Sequence, residues 1–278
     1  GQMAQFDGSY HHWVENRGPE WCLLASIDDA TGIPVKAEFA AHEGVFPVFT
    51  FWKEYITTHG KPRAIYLDKF STYKMNQKVA IENHDTQTQF QRAMRQLGIE
   101  PISAHSPQAK GRIERLFNTF QDRLVKEMRL RNISTIEEAN LFLEEEFLPN
   151  YAKKYSVEPV SKTNLHQPLS KKEISNLDSV FSKQTERTVR NDFTVSFNNQ
   201  WYQLLKDQPS TIRKQDKISI EEWLDGTIHF TVRGRYLNVK AIIEKPLTSK
   251  KPEWIIPAKK RATIPAADHP WRSKFIIN

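Results

Sequence analysis

The run Trp21–Asp28 (WCLLASID) constrains this chain more than any other stretch. Its side chains are apolar at nearly every position and do not alternate, which is the pattern of a strand buried on both faces. Such a strand needs a covering layer on each side, so the fold around it must be layered. The neighbouring segments supply the parts. Residues 3–9 form a short, partly apolar first strand, Asp29-Ala-Thr-Gly32 a hairpin turn, and residues 34–41 a third strand. Together these make an antiparallel meander.

Val45–His59 has Phe46, Phe49, Trp52, Tyr55 and Ile56 at helical spacing, and Gly60 and Pro62 stop it. Ala64–Leu67 is a short apolar strand running up to Asp68. Residues 86–97 are an amphipathic helix closed by Gly98, 99–104 a further strand, and 110–131 a long helix whose apolar stripe is Leu116, Phe117, Phe120 and Leu124. A second helix opens at Ser134-Thr-Ile-Glu137, which has the capping-box pattern. The predicted class over residues 1–150 is α/β, a five-stranded mixed sheet flanked by helices.

From Tyr151 the texture changes. Residues 151–186 are polar and are predicted to be a partly helical linker. Residues 188–205 alternate, with Asn198-Asn199 at a hairpin turn, and 217–223, 227–233 and 236–241 are further short strands with turns at Asp225-Gly226 and Gly234. Five short strands predict a small C-terminal β-barrel over 187–246, with Trp201 and Trp223 in its core. Residues 247–278 form an extended basic tail. Charge divides the chain in the same way. Residues 1–150 hold 17 Lys+Arg against 20 Asp+Glu, and residues 151–278 hold 23 against 13. A basic half beside a slightly acidic one points to a nucleic-acid-binding domain joined to a part with another task.

Several classes are excluded. No apolar stretch is long enough for a membrane helix, and Gly1-Gln-Met-Ala4 lacks a secretory signal layout. Cys22 is the only cysteine, so there is no disulfide framework and no thiolate zinc site. A cytoplasmic, nucleoid-associated setting is expected. His11, His12, His42, His84 and His105 show no metal-ligand spacing, and the role of His105 is open.

Three acids stand at telling positions: Asp7 in the first strand, Asp68 after the fourth, and Glu114 near the start of the long helix. Strands one and four are neighbours in this sheet order, and a helix docked beside them would bring Glu114 to the same point. Converging carboxylates suit hard cations such as Mg²⁺ or Mn²⁺. Two such ions about 3.5–4 Å apart assist phosphodiester chemistry. Asp28 and Asp29 are assigned to the hairpin turn and not to catalysis.

The motifs Phe6-Asp-Gly-Ser9, Ala25-Ser-Ile-Asp-Asp-Ala-Thr-Gly32, Ile65-Tyr-Leu-Asp68 and His105-Ser-Pro-Gln-Ala-Lys-Gly-Arg-Ile-Glu-Arg-Leu-Phe117 resemble the DDE transposase and retroviral-integrase superfamily, which has an RNase H-like core. The resemblance is strongest to bacterial insertion-sequence transposases and extends to the C-terminal region, including Ala267-Asp-His-Pro-Trp-Arg272. It implies that Asp7, Asp68 and Glu114 are the catalytic metal ligands for two Mg²⁺ or Mn²⁺ ions. It also implies cleavage at transposon ends, strand transfer into target DNA, and a homodimer or higher assembly on DNA, with no membrane and no small-molecule substrate. Relatives carry an N-terminal helix-turn-helix region, which is expected to precede this chain. The 45 residues between Asp68 and Glu114 are more than in many relatives, and the excess is placed at 73–86 as a polar surface insertion.

DNA contacts are expected from Lys69, Tyr73 and Lys74 after Asp68, and from Gln108, Lys110, Arg112, Arg115 and Asn118 around the long helix. In the C-terminal region they are expected from Arg213, Lys214, Arg233 and Arg235. Two rival readings remain: an RNase H-like nuclease that cuts without joining, and a non-catalytic DNA-binding protein derived from a transposase.

Overall fold

In the computed structural model, residues 1–67, 77–103, 111–159, 161 and 163–243 are described. The first half is built on a five-stranded sheet. Its strands are β1 (Met3–His11), β2 (Trp21–Asp28), β3 (Pro34–Ala40), β4 (Ala64–Leu67) and β5 (Glu100–Ser103), in the order β3-β2-β1-β4-β5. The first three are antiparallel, and β4 and β5 run parallel to β1 and to each other. This is the mixed sheet expected of an RNase H-like core.

All eight residues of β2 are buried, and they divide by parity. Cys22 and Leu24 face one layer with α1 (Val45–His59) and α2 (Gln77–Gln96). Trp21, Leu23, Ala25 and Ile27 face the other, with α3 (Gly111–Leu130), α4 (Ile136–Phe142) and α5 (Leu148–Tyr155). The unbroken apolar run is therefore the middle of a three-layer sandwich. In α1 the buried face is Val45, Val48, Phe49, Phe51, Trp52, Tyr55 and Ile56. Gly60 ends it with φ 87°, a conformation that favours glycine, and a side chain there would meet the Gln167 carbonyl oxygen at 2.8 Å.

Several expectations are revised. The helix expected to begin at Thr86 begins at Gln77, so the second half of the supposed surface insertion is helical backbone. The capping box lies one residue later than predicted: Thr135 receives the Glu138 N–H, and the Glu138 carboxylate receives the N–H groups of both Thr135 and Ser134. A π-helical turn, Leu143–Phe147, joins α4 to α5, which runs across residue 150. Phe120 of α3 meets Phe147 and Tyr151 edge-on, with ring centroids 5.0 and 5.1 Å apart. Within 151–186, helix α6 (Lys171–Val180) carries Leu177 and is followed by Phe181, and both are buried in the α1-side core.

Among the described residues the C-terminal region forms two antiparallel sheets and not the closed barrel expected. One contains β11 (Arg235–Tyr236), β10 (Ile228–Val232), β9 (Lys217–Glu222) and β6 (Lys183–Thr188), in that order. The other contains β12 (Val239–Ile242), β8 (Gln200–Leu204) and β7 (Thr194–Phe197). They share a core of Val195, Phe197, Tyr202, Leu204, Ile218, Ile220, Phe230 and Val232, among others. Tyr202 is the core aromatic of β8. Trp201 points the other way and is half-buried under the Arg190 guanidinium, 4.3 Å from its ring centroid, while Trp223 is half-buried and stacks on His229 at 3.9 Å. Period-two alternation explains the exchange, because Trp201 and Tyr202 are neighbours and only one can face inward.

The two halves meet through polar groups on α2. The Gln89 side-chain amide donates to the Gln184 carbonyl (2.7 Å) and accepts the Gln184 N–H (3.1 Å), as a paired strand residue would. Arg92 donates to the Ser182 carbonyl, and Lys183 pairs with Asp85. Burial pulls the Arg92 guanidinium pKa down to about 10, with Glu221 opposing the shift.

Candidate metal and DNA site

Asp7 sits in the middle of β1. Ala4 and Phe6 point into the α1-side core, so by strand alternation Gln5, Asp7 and Ser9 face the α3 side. Contacts with α3 confirm that direction. Gln5 Oε1 accepts the buried N–H of Ile113 (3.3 Å), and Gln121 Nε2 donates to Ser9 Oγ (3.1 Å). Four strand residues from Gln5 to Ser9 advance about 13 Å and eight helical residues from Ile113 to Gln121 about 12 Å. Strand and helix therefore run in the same direction, with Asp7 near the midpoint.

On α3, Ile113, Leu116, Phe117, Phe120 and Leu124 are buried, and Glu114, Arg115 and Asn118 are exposed. Glu114 and Asn118 lie two turns and one turn before Gln121 on one stripe, the one that passes β1. The Asp7 side of the strand is thus faced by a helix stripe that carries a carboxylate. β4 is the parallel neighbour of β1, with Gln5 opposite Tyr66. Asp68 follows Leu67 directly in sequence and lies outside the described residues, as do Lys69, Tyr73, Lys74, His105, Gln108 and Lys110. No group of three His, Cys, Asp or Glu side chains placed to hold a metal occurs among the described residues. Asp7 and Glu114 fit a hard divalent cation by chemistry, as oxygen donors on facing elements.

Beside this pair lies Gln5, which the sequence did not single out. Gln5 is only 2% exposed, and its Nε2 donates to Asp29 Oδ1 at 2.7 Å. Asp29 also lies 3.4 Å from the Arg112 guanidinium, so this expected DNA contact has a protein partner. Asp28 accepts from the Thr31 N–H and hydroxyl at 3.0 and 2.9 Å, the turn role expected of it. Cys22 is buried, and burial first, then the Glu43 and Asp7 charges, push its thiol pKa far up, so it is not a nucleophile.

In the C-terminal region Arg213, Lys214, Arg233 and Arg235 are exposed, the first two between β8 and β9, Arg233 at the β10–β11 turn and Arg235 in β11. Arg235 donates to the Pro209 carbonyl at 2.7 Å, and Arg233 donates to the Thr211 carbonyl at 3.3 Å and lies 3.7 Å from Asp216. Pro209, Ser210, Thr211, Arg233 and Arg235 line a groove of about 490 Å³. No helix among the described residues is long and apolar enough to cross a membrane.

No family model matches the chain. It is 35% identical over 237 residues to the putative transposase y4bF of Sinorhizobium fredii (strain NBRC 101917 / NGR234), a match covering 85% of this chain and 51% of that protein. It is 31% identical over 279 residues to the transposase for insertion sequence IS1202 of Streptococcus pneumoniae, covering 98% of this chain and 58% of that protein. The chain thus spans about half the length of the curated relatives it matches. More distant likenesses are to the HTLV-2 integrase catalytic core domain in complex with magnesium and to the simian T-cell lymphotropic virus intasome. For the HTLV-2 core in its dimeric form the TM-score is 0.37 and the identity 17%, covering 52% of this chain and 87% of that one. For the intasome they are 0.39 and 13%, covering 88% and 80%. In sequence the chain is thus similar to two bacterial transposases, one of them that of an insertion sequence.

Proposed function

We propose that this chain is the catalytic core and C-terminal DNA-binding part of a transposase that cleaves DNA at transposon ends and joins the exposed 3′-hydroxyl to target DNA. The observation that carries this reading is the placement of Asp7 on the α3-facing side of β1, where Glu114 lies on the passing stripe. Asp7, Asp68 and Glu114 would hold Mg²⁺ or Mn²⁺, two ions per site. When bound, the pair of cations supplies the positive charge that activates the attacking oxygen and stabilises the leaving one.

Hydrolysis first frees a 3′-hydroxyl at the transposon end. That oxygen then attacks a target phosphorus in line. The new P–O bond forms as the bond to the target's own 3′ oxygen breaks, and that oxygen leaves with a proton. No covalent protein–DNA intermediate is involved. Asn118, on the Glu114 stripe, and Arg115 are exposed to hold the DNA backbone beside the site, while Lys69, Tyr73, Lys74, Gln108, Lys110 and Arg112 are further candidates. Arg213, Lys214, Arg233 and Arg235 are exposed cations suited to phosphates, and the active assembly would be a homodimer or higher on DNA.

The test supplies Mn²⁺, a labelled pre-cut end and supercoiled target plasmid. Metal-dependent joined product is expected from the wild-type chain and none from Asp7→Ala, Asp68→Ala or Glu114→Ala. Substantial joining by any of the three variants would refute the assignment, and cleaved but unjoined DNA would point to a nuclease.

A further inference from the structure

We propose that Gln5 and Asp29 are positioning residues that fix the first turn of α3, and through it the place of the Glu114 carboxylate. The inference rests on the catalytic reading above. The first N–H groups of a helix have no partner within it, and a buried one needs an acceptor from elsewhere. The Ile113 N–H finds Gln5 Oε1, a side chain from β1 only two residues from Asp7. Gln5 is itself buried, so its amide must be satisfied at both ends, and its Nε2 donates to Asp29 at the β2–β3 turn. Asp29 in turn holds the Arg112 guanidinium, one residue on the other side of Ile113 from Glu114.

The chain Asp29–Gln5–Ile113 therefore ties the residue immediately before Glu114 to the strand that carries Asp7. The polarity is fixed. Asp29 can only accept from the amide nitrogen, which leaves the amide oxygen turned toward the helix. Helix rotation and height are set at the point where the two carboxylates must agree. Partners of this kind, which orient metal ligands without touching the ion, typically change affinity or activity by about 10–100-fold when removed.

The test uses inversion of the bridge. Gln5→Leu removes both hydrogen bonds. Gln5→Glu keeps an acceptor for Ile113 but sets it against the Asp29 carboxylate. Gln5→Glu with Asp29→Asn restores the bridge in reversed polarity, because the amide introduced on the turn can donate to the carboxylate introduced on β1. Mn²⁺ affinity is measured on the chain without DNA by electron paramagnetic resonance, and exchange of the Ile113 amide hydrogen is followed in parallel. Expected are a loss of Mn²⁺ affinity of about 10-fold or more and faster Ile113 exchange in Gln5→Leu and Gln5→Glu, with recovery to within about threefold in the double variant. Because the double variant keeps a full set of buried partners, its recovery also separates positioning from a general loss of folding. Unchanged Mn²⁺ affinity in Gln5→Leu and Gln5→Glu, alongside its loss in Asp7→Ala, would overturn the positioning role and leave the catalytic reading standing. Wild-type Mn²⁺ binding in Asp7→Ala and Glu114→Ala would overturn the catalytic reading and the positioning role with it.

Discussion

Phe120→Ala tests whether α3 is held in place by the helices that follow it. The ring is fully buried and is met edge-on by Phe147 and Tyr151. Truncating a buried phenylalanine to alanine costs about 3–5 kcal/mol. Two favourable ring pairs keep this site off the lower end, at about 4 kcal/mol. Against a total stability of about 5–15 kcal/mol, that is a large fraction and about a thousandfold in the folding equilibrium. Trp13 and Trp21, two of the seven tryptophans, belong to the same core, so tryptophan fluorescence during urea unfolding includes a signal from this layer. The expected fall in the urea midpoint is about 1–2 M. Glu114→Ala on the exposed face of the same helix is the control and should stay within about 0.5 kcal/mol. A loss below about 1 kcal/mol in Phe120→Ala, at unchanged slope, would refute the view that Leu143–Tyr155 clamps α3.

Two further outcomes follow from charge. Lys61 first, and then the Ser170 hydroxyl and N–H, hold the Glu173 carboxyl down at about 2 against an ordinary 4.5. Its contribution to stability is therefore full above pH 4.5 and lost as pH falls toward 2. Because the Glu173 side chain is 26% exposed, solvent screening should reduce the effect to about 1–2 kcal/mol. Urea midpoints at pH 3 and pH 6 should differ less in Lys61→Met than in wild type, and equal pH dependence would refute the pairing. For the exposed C-terminal cations, Lys214→Ala and Arg235→Ala should each weaken DNA binding evenly across sequences and flatten the slope of log affinity against log salt by about one. An unchanged slope would remove that residue from the phosphate contacts.

The parts read well from sequence were those with a strong apolar signal. Trp21–Asp28, Val45–His59 and Ala64–Leu67 begin and end where the pattern places them. The parts that escaped carry weak or divided signals. In α2 the short apolar group Val79-Ala80-Ile81 is cut off from Phe90 by a polar run from Glu82 to Gln89, so periodicity marked only the C-terminal end of the helix. Ser134-Thr-Ile-Glu-Glu138 contains two overlapping capping boxes, and pattern alone cannot choose between them. Residues 151–186 read as a partly helical linker, and α5 and α6 are helical there; what the many polar residues hid is that Tyr151, Leu177 and Phe181 pack on the cores. Strand β6 (KQTERT) has no apolar alternation, and without it the short strands beyond fit a closed barrel as well as two sheets. At the candidate site, Asp7 and Glu114 stand out in the sequence through their motifs, and the neighbouring placement of β1 and α3, which carry them, is the one the sheet order leads one to expect. Gln5 does not stand out, because nothing in a glutamine beside Phe6 announces that it is buried and bonded at both ends.

The Gln89–Gln184 pairing bears on how copies of this chain meet one another. β6 lies at one edge of its sheet, and an edge strand offers N–H and C=O groups to any other strand that comes near. At Gln184 that offer is already taken, by a side chain from the other half of the same molecule. Lys183, Glu186 and Arg187 add charges along the rest of the edge, which discourage a foreign strand from adding on. At this edge the chain is thereby guarded against pairing with a strand of another copy.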